Sequence, residues 1–267
     1  MAQNILAYYC FNDNSAATAK DFSVNERHGV GTAMTITTDP GAVGKVGQFN
    51  GLSSKITVID FSEFDALTSF TVVAKFKVIS FDPDGDASTN IEVITFRDSN
   101  FHLLIKTDGK LQFVIQTTVT SYELNDTNIL SINTWYTVIA KWDGVNMKLY
   151  LNSLDNPATL SATGTLTSNA NDLLIGNDIG TNWFNGQIEM ISYYNRAITD
   201  TEIVTILEQP TGLKYIATDN KLQTGDLLLN NFGGKEIVTW YEEFDERNFS
   251  DAEEHLFKDE EQMMFHL

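Results

Sequence analysis

Apolar and polar residues alternate along this chain in many short runs, each closed by Gly, Asn or Asp. A period of two is the mark of a strand with one face buried. Phe70, Val72, Ala74, Phe76 and Val78 fall on one side of such a run, with Thr71, Lys75 and Lys77 on the other. Phe101, Leu103 and Ile105 repeat the pattern, residues 107–110 (TDGK) supply a tight hairpin, and Leu111, Phe113 and Ile115 return. Tyr136, Val138, Ala140 and Trp142 do the same before Asp143-Gly144 turns the chain into Met147, Leu149 and Leu151. None of the four prolines interrupts these runs. The pattern predicts an all-β protein, an antiparallel sandwich with one face of each sheet toward the core.

One helix stands out. Thr199 and Glu202 have the spacing of a capping box, in which hydroxyl and carboxylate each satisfy a backbone donor, and the helix ends before Pro210. Beyond it the composition changes, with 13 acidic against 5 basic residues in 211–267. One reading is a disordered acidic tail. The other is a docking arm, since Trp240, Tyr241, Phe244, Phe249 and Phe257 give this segment apolar area to bury, and Ser250 and Glu253 form a second capping box. The expected division is therefore a sandwich over 1–209 and an assembly arm over 210–267, through which the chain joins other subunits as an oligomer.

The whole chain carries 36 acidic and 17 basic residues, a net charge of −19. Nucleic acid and anionic membranes need clustered Lys and Arg, so both are excluded as partners. Cys10 stands alone, so neither an intrachain disulfide nor a cysteine zinc framework can form. The apolar start (ILAYYCF, residues 5–11) has no basic segment before it and no small-residue cleavage pattern after it, and no apolar run approaches the ~20 residues of a membrane span. The expectation is synthesis in the cytoplasm without a signal peptide.

Residues 183–207, WFNGQIEMISYYNRAITDTEIVTIL, end an alternating strand in a specified turn and a short capped helix. With DFSVNERHG (21–29), GKVGQFNG (44–51), SFTVVAKFKV (69–78) and the run from Asn133 to Asn152, they resemble the laminin-G-like, concanavalin A-like domains over residues 5 to about 207. The resemblance implies a concanavalin A-like jelly roll. Relatives are mostly secreted or displayed on cells. A phage or viral structural protein reconciles this with the missing signal peptide, since it assembles inside the host, and the expected setting is a virion carrying many copies, with an extracellular lectin as the alternative.

The resemblance also implies a structural calcium ion, held at the positions of Asp21, the Gly51 carbonyl and Glu189. This chain departs from the pattern at Val24, where Gly is common, and at Glu189, where Asp is commoner; the alternative makes Asp21 a turn former and Glu189 a strand-edge charge. The acidic run at 82–86 lacks the Gly and Glu of a calcium-binding EF-hand loop. For saccharides, which take aromatic faces and amide groups, the candidates are Trp183, Asn182 and Asn185 in one loop and Tyr122 in another. Core packing is the alternative for Trp183. A glycosidase needs two carboxyls roughly 5–10 Å apart; the closing strand offers Glu189 alone, and Glu242, Glu243, Asp245 and Glu246 lie outside the sandwich. The sequence thus points to a non-enzymatic module that binds host-surface glycans.

Overall fold

The computed structural model describes residues 5–12, 15–42, 44–81 and 91–208, with the backbone of 217–218 and 221–222. The expected arm at 210–267, the acidic run at 82–86 and the carboxylates at 242–246 lie outside the described side chains. Over residues 5–208 the strands are β1 (Ile5–Cys10), β2 (Thr18–Ala19), β3 (Gly29–Thr32), β4 (Thr35–Thr38), β5 (Lys45–Asn50), β6 (Lys55–Val58), β7 (Phe70–Val78) and β8 (Glu92–Arg97). They continue as β9 (Phe101–Ile105), β10 (Lys110–Gln116), β11 (Ser121–Ile129), β12 (Trp135–Trp142), β13 (Asn146–Leu151), β14 (Ala158–Ser161), β15 (Leu173–Ile175) and β16 (Asn185–Tyr194), followed by helix α1 (Asp200–Glu208).

Two antiparallel eight-stranded sheets form the sandwich. The first runs β14, β13, β12, β7, β16, β5, β4, with β1 also paired to β16; the second runs β11, β10, β9, β8, β15, β6, β3, β2. The alternation meets the core as expected. Phe70, Val72, Ala74, Phe76 and Val78 are fully buried against Phe101, Leu103, Leu111 and Phe113 of the opposite sheet. The Phe70 ring lies 5.1 Å from Phe101 and 5.7 Å from Phe113. Each such side chain contributes roughly 1.5–3 kcal/mol by leaving water. The hairpin at 107–110 forms with Gly109 at φ +75°, a conformation that costs glycine little.

The outer face of the first sheet departs from the expectation of a solvated side. Thr71 and Val73 are fully buried there, and Val73 packs with Ile139, Tyr150, Met190, Ile198 and Ile203 in a second apolar cluster. Helix α1 supplies the cover, and its capping box is present: the Glu202 N–H donates to Thr199 Oγ1 at 3.2 Å, and the Thr199 N–H to Glu202 Oε2 at 2.7 Å. Lys141 ties the helix start to the sheet by donating to the Ile198 carbonyl and to Asp200, both at 3.1 Å. A period-two pattern cannot show this cover, because the helix that provides it comes later in the chain. Among the described residues no helix is long and apolar enough to cross a membrane.

Candidate functional site

Strand β15 is only three residues long, and loops rise at both its ends. Its middle residue, Leu174, pairs with Thr57 of β6 and Phe96 of β8. Leu174, Thr57 and Lys55 form the floor of a cleft of about 540 Å³ on the outer face of the second sheet. The walls are Asp98 with residues 170–172 at one end and Asn177 to Gly180 with Trp183 at the other. This volume lies within the range that holds small ligands.

Each wall is held by a buried polar device. The guanidinium of Arg97, which is fully buried, donates to the carbonyls of Asn169 (2.8 Å) and Asn171 (3.1 Å), and to Asp60 (2.6 Å) and Asp65 (3.1 Å). Asn169 and Asn171 in turn donate through their side-chain amides to the Asp98 carbonyl at 2.9 and 3.2 Å. At the other end Asn177 and Trp183 form an antiparallel bridge that closes the loop. Inside it Asp178 accepts from the Gly180 N–H (2.7 Å) and the Asn182 side-chain amide (2.6 Å), while Asn177 donates to the Asn182 carbonyl (2.9 Å). This is the Asx-type turn expected where Asn, Asp and Gly cluster.

The bridge decides which way Trp183 points. Successive residues of a strand face opposite sides. Phe184 takes the core position, fully buried with its ring 5.9 Å from Phe49 and 6.2 Å from Phe76. Trp183 is therefore turned outward, half-buried in the cleft wall, and no described residue offers it a ring, cation or hydrogen-bond partner. The core reading of Trp183 belongs to its neighbour.

The other three saccharide candidates do not line the cleft. Asn182 spends its amide on Asp178. Asn185 opens β16, donating its N–H to Glu92 and accepting from the Ile79 N–H. Tyr122 sits on edge strand β11, four strands from β15, so roughly 19 Å away at ~4.8 Å per strand. It packs on the main core with its hydroxyl 3.3 Å from Thr163. Of the residues that do line the site, Asn171, Asn177 and Asp178 belong to two stretches, 169–172 and 177–178, that flank the three apolar residues 173–175, while Asp98 comes from the turn after β8.

The electrostatics of the cleft are one-sided. Lys55 faces Asp98, Asp172 and Asp178. His102, adjacent on the same face, stacks on Phe96 at 4.3 Å, and burial lowers its pKa despite the nearby Asp98 and Asp178, so it is neutral at neutral pH. Asp172 accepts the Asp60 N–H at 3.0 Å. Glu92, whose pKa burial raises to about 8, does not line the cleft but reaches between the sheets to Asn185.

The positions implied for calcium do not fit the ion. Asp21 is 1% exposed, and its oxygens accept from the N–H groups of Tyr8, Ser23 and Arg27 and from the Ser23 hydroxyl, all at 2.8–2.9 Å. That is the work of a turn former. Glu189 is paired to Lys75 at 2.7 Å. Asp21 bridges to Tyr9 across β1 and so lies two strand widths, roughly 10 Å, from β16. The Gly51 N–H donates to Phe184, which places Gly51 five residues, roughly 17 Å, along from Glu189. Among the described residues no three His, Cys, Asp or Glu side chains gather as a metal site.

Residues 50–204 match the family model described as the concanavalin A-like lectin/glucanases superfamily. The chain belongs to this superfamily. None of the curated proteins matches it. Among solved structures, domain 4 of AbnA, an extracellular arabinanase from Geobacillus stearothermophilus in complex with arabinotriose, aligns at a TM-score of 0.58 with 18% identity, covering 77% of this chain and 98% of that one. The binding domain of botulinum neurotoxin DC in complex with SialylT aligns at 0.56 with 16% identity, covering 79% and 55%. A sialidase from Trypanosoma rangeli aligns at 0.55 with 11% identity, covering 78% and 33%. The superfamily member described here thus spans nearly all of the arabinanase domain, about half of the toxin chain and a third of the sialidase. At these identities the likeness is one of fold.

Proposed function

We propose that this concanavalin A-like domain is a non-enzymatic saccharide-binding module and that the β15 cleft is its site. The observation that carries this reading is Trp183, an aromatic face turned out of the core beside amide and carboxylate side chains. That is the chemistry a sugar ring and its hydroxyls require. Support comes from the neighbours solved in complex with arabinotriose and SialylT. Fold alone does not assign function, since one architecture hosts many. The rival reading is a glycosidase, which works with two carboxyls roughly 5–10 Å apart across the bound sugar.

The proposed setting is multivalent display, with residues 210–267 fixing the domain to neighbouring subunits of a virion and the cleft facing host-surface glycans. Single sites of this size bind weakly, and linked copies gain effective concentration without a new contact. A glycan array probed with the full chain tests the reading. Saccharide binding that Trp183→Ala abolishes sustains it, silence across the array removes it, and release of shortened sugars from a bound glycan restores the enzyme.

A further inference from the structure

The strands beneath the cleft, the loops beside it and the stacked histidine all bear on one question that the saccharide reading leaves open: which saccharides enter. Among the described residues, three carboxylates, Asp98, Asp172 and Asp178, line the cleft against a single cation, Lys55. His102 adds no charge at neutral pH, because its burial against Phe96 favours the uncharged ring. Two of the carboxylates are fixed in place by backbone donors, Asp178 by the Gly180 N–H and Asp172 by the Asp60 N–H. They cannot swing away from an incoming anion without giving up those bonds. The third, Asp98, is held differently: its main-chain carbonyl is anchored by Asn169 and Asn171, while its carboxylate accepts no hydrogen bond and forms no ion pair with any described residue. Asp98 is therefore an acceptor with no donor among the described residues.

We infer that the cleft selects neutral, hydroxyl-rich saccharides and excludes sialylated, uronic or sulfated ones, with Asp98 as the residue that both accepts a sugar hydroxyl and repels an anionic substituent. Hydroxyl groups donate to carboxylates in short charge-assisted bonds, whereas a second carboxylate or a sulfate brought beside them meets like charge, which disfavours the wrong partner strongly at an interface. The chain's net charge of −19 acts in the same direction at longer range, slowing the approach of anionic glycans. This inference rests on the saccharide reading of the cleft.

The test pairs neutral oligosaccharides with their sialylated, uronate and sulfated counterparts, presented to the full chain by array and by titration calorimetry. Chelator is present throughout, so that only the chain's own charge is read. The expected result is that the acidic member of each pair binds at least about tenfold more weakly at low salt, a difference of about 1.4 kcal/mol or more, and that the gap narrows at high salt as charges are screened. Asp98→Asn removes the charge at a position whose carboxylate has no hydrogen bond or ion pair among the described residues. It is expected to narrow the gap at low salt, and Trp183→Ala to abolish binding of the neutral members. Equal or tighter binding of the acidic members overturns the charge selection while leaving the cleft as a saccharide site. A preference that persists in Trp183→Ala overturns the assignment to this cleft, and absence of binding to every saccharide overturns the reading on which the inference rests.

Discussion

Two tryptophans on the outer surfaces of the two sheets show how differently the same residue is used. Trp135, at the start of β12, has its ring between Lys75 and Lys77, at 5.9 and 5.4 Å, and donates its indole N–H to Asp39 at 3.0 Å. Gly41 packs so closely on it that a β-carbon there would come within 2.5 Å. Around it the charges are spent on one another: Lys75 pairs with Glu189 and Lys77 with Asp39. Burial alone would raise the Asp39 pKa, but hydrogen bonds from Lys77 and Trp135 outweigh it and hold the carboxyl at about 2. Trp183 has none of these partners. A polar surface that has closed on itself is a structural surface, whereas one that leaves an aromatic face and a carboxylate without partners among the described residues is available to a ligand.

The comparison can be broken first in the interior, where one carboxyl lacks the neutralising partners of the closed face. Glu92 accepts from the Asn185 N–H through one oxygen, the other has no described partner, and burial lifts its pKa from 4.5 to about 8. The shift is upward, so its protonated form is the one the fold favours. Its contribution is complete below pH 4.5 and is lost as pH rises through 8. Stability measured by urea unfolding is expected to fall by up to about 1.4 kcal/mol per pH unit across that window, and Glu92→Gln to flatten this component. A wild-type profile identical to that of the glutamine variant would mean that the Glu92 pKa is not raised in the folded protein.

The next largest effect separates adjacent residues. Phe184→Ala empties a core position and is expected to cost about 3–5 kcal/mol, while Trp183→Ala, in the cleft wall, is expected to stay within about 0.5 kcal/mol of the wild type. Denaturant midpoints decide it, and comparable losses would put Trp183 back among the packing residues. Carboxylates make the same contrast. Glu189→Ala leaves Lys75 without its buried partner and is expected to cost about 3 kcal/mol, whereas Asp98→Asn is expected to leave the midpoint unchanged. A smaller loss than that of Phe184→Ala or Glu189→Ala is expected in the N-terminal turn: Asp21→Ala removes an acceptor of several backbone bonds and is expected to cost about 2 kcal/mol. Its melting temperature and that of the wild type should each be the same with calcium and with chelator; a calcium-dependent rise that the substitution abolishes would reinstate a metal there.

Local signals in the chain carried much of the fold. The alternation in β7, β9, β10 and β12 meets the core in the phase the sequence predicted, because a strand's side chains alternate whatever surrounds it. The Thr199 and Glu202 box formed because a cap is made within four residues. Trp183 was legible as a site candidate from its composition, but which residues join it in one cleft was not. Lys55, Asp98, Asn171 and Asn177 come from three separated stretches of chain, brought together by the order of β6, β15 and β8 in the second sheet.

The sequence by itself therefore determined the strand pattern, the capped helix, the acidic surface and the family, all of which rest on residues near one another or on simple sums of charge. Only the tertiary structure decided that Phe184 rather than Trp183 enters the core, that α1 covers the outer face of the first sheet, and that Tyr122 lies four strands from the cleft. It also decided that Asp21, Gly51 and Glu189 stand apart. Each of these depends on strand register and sheet order, which long-range pairing fixes, and a one-residue change in register reverses every side chain on a strand.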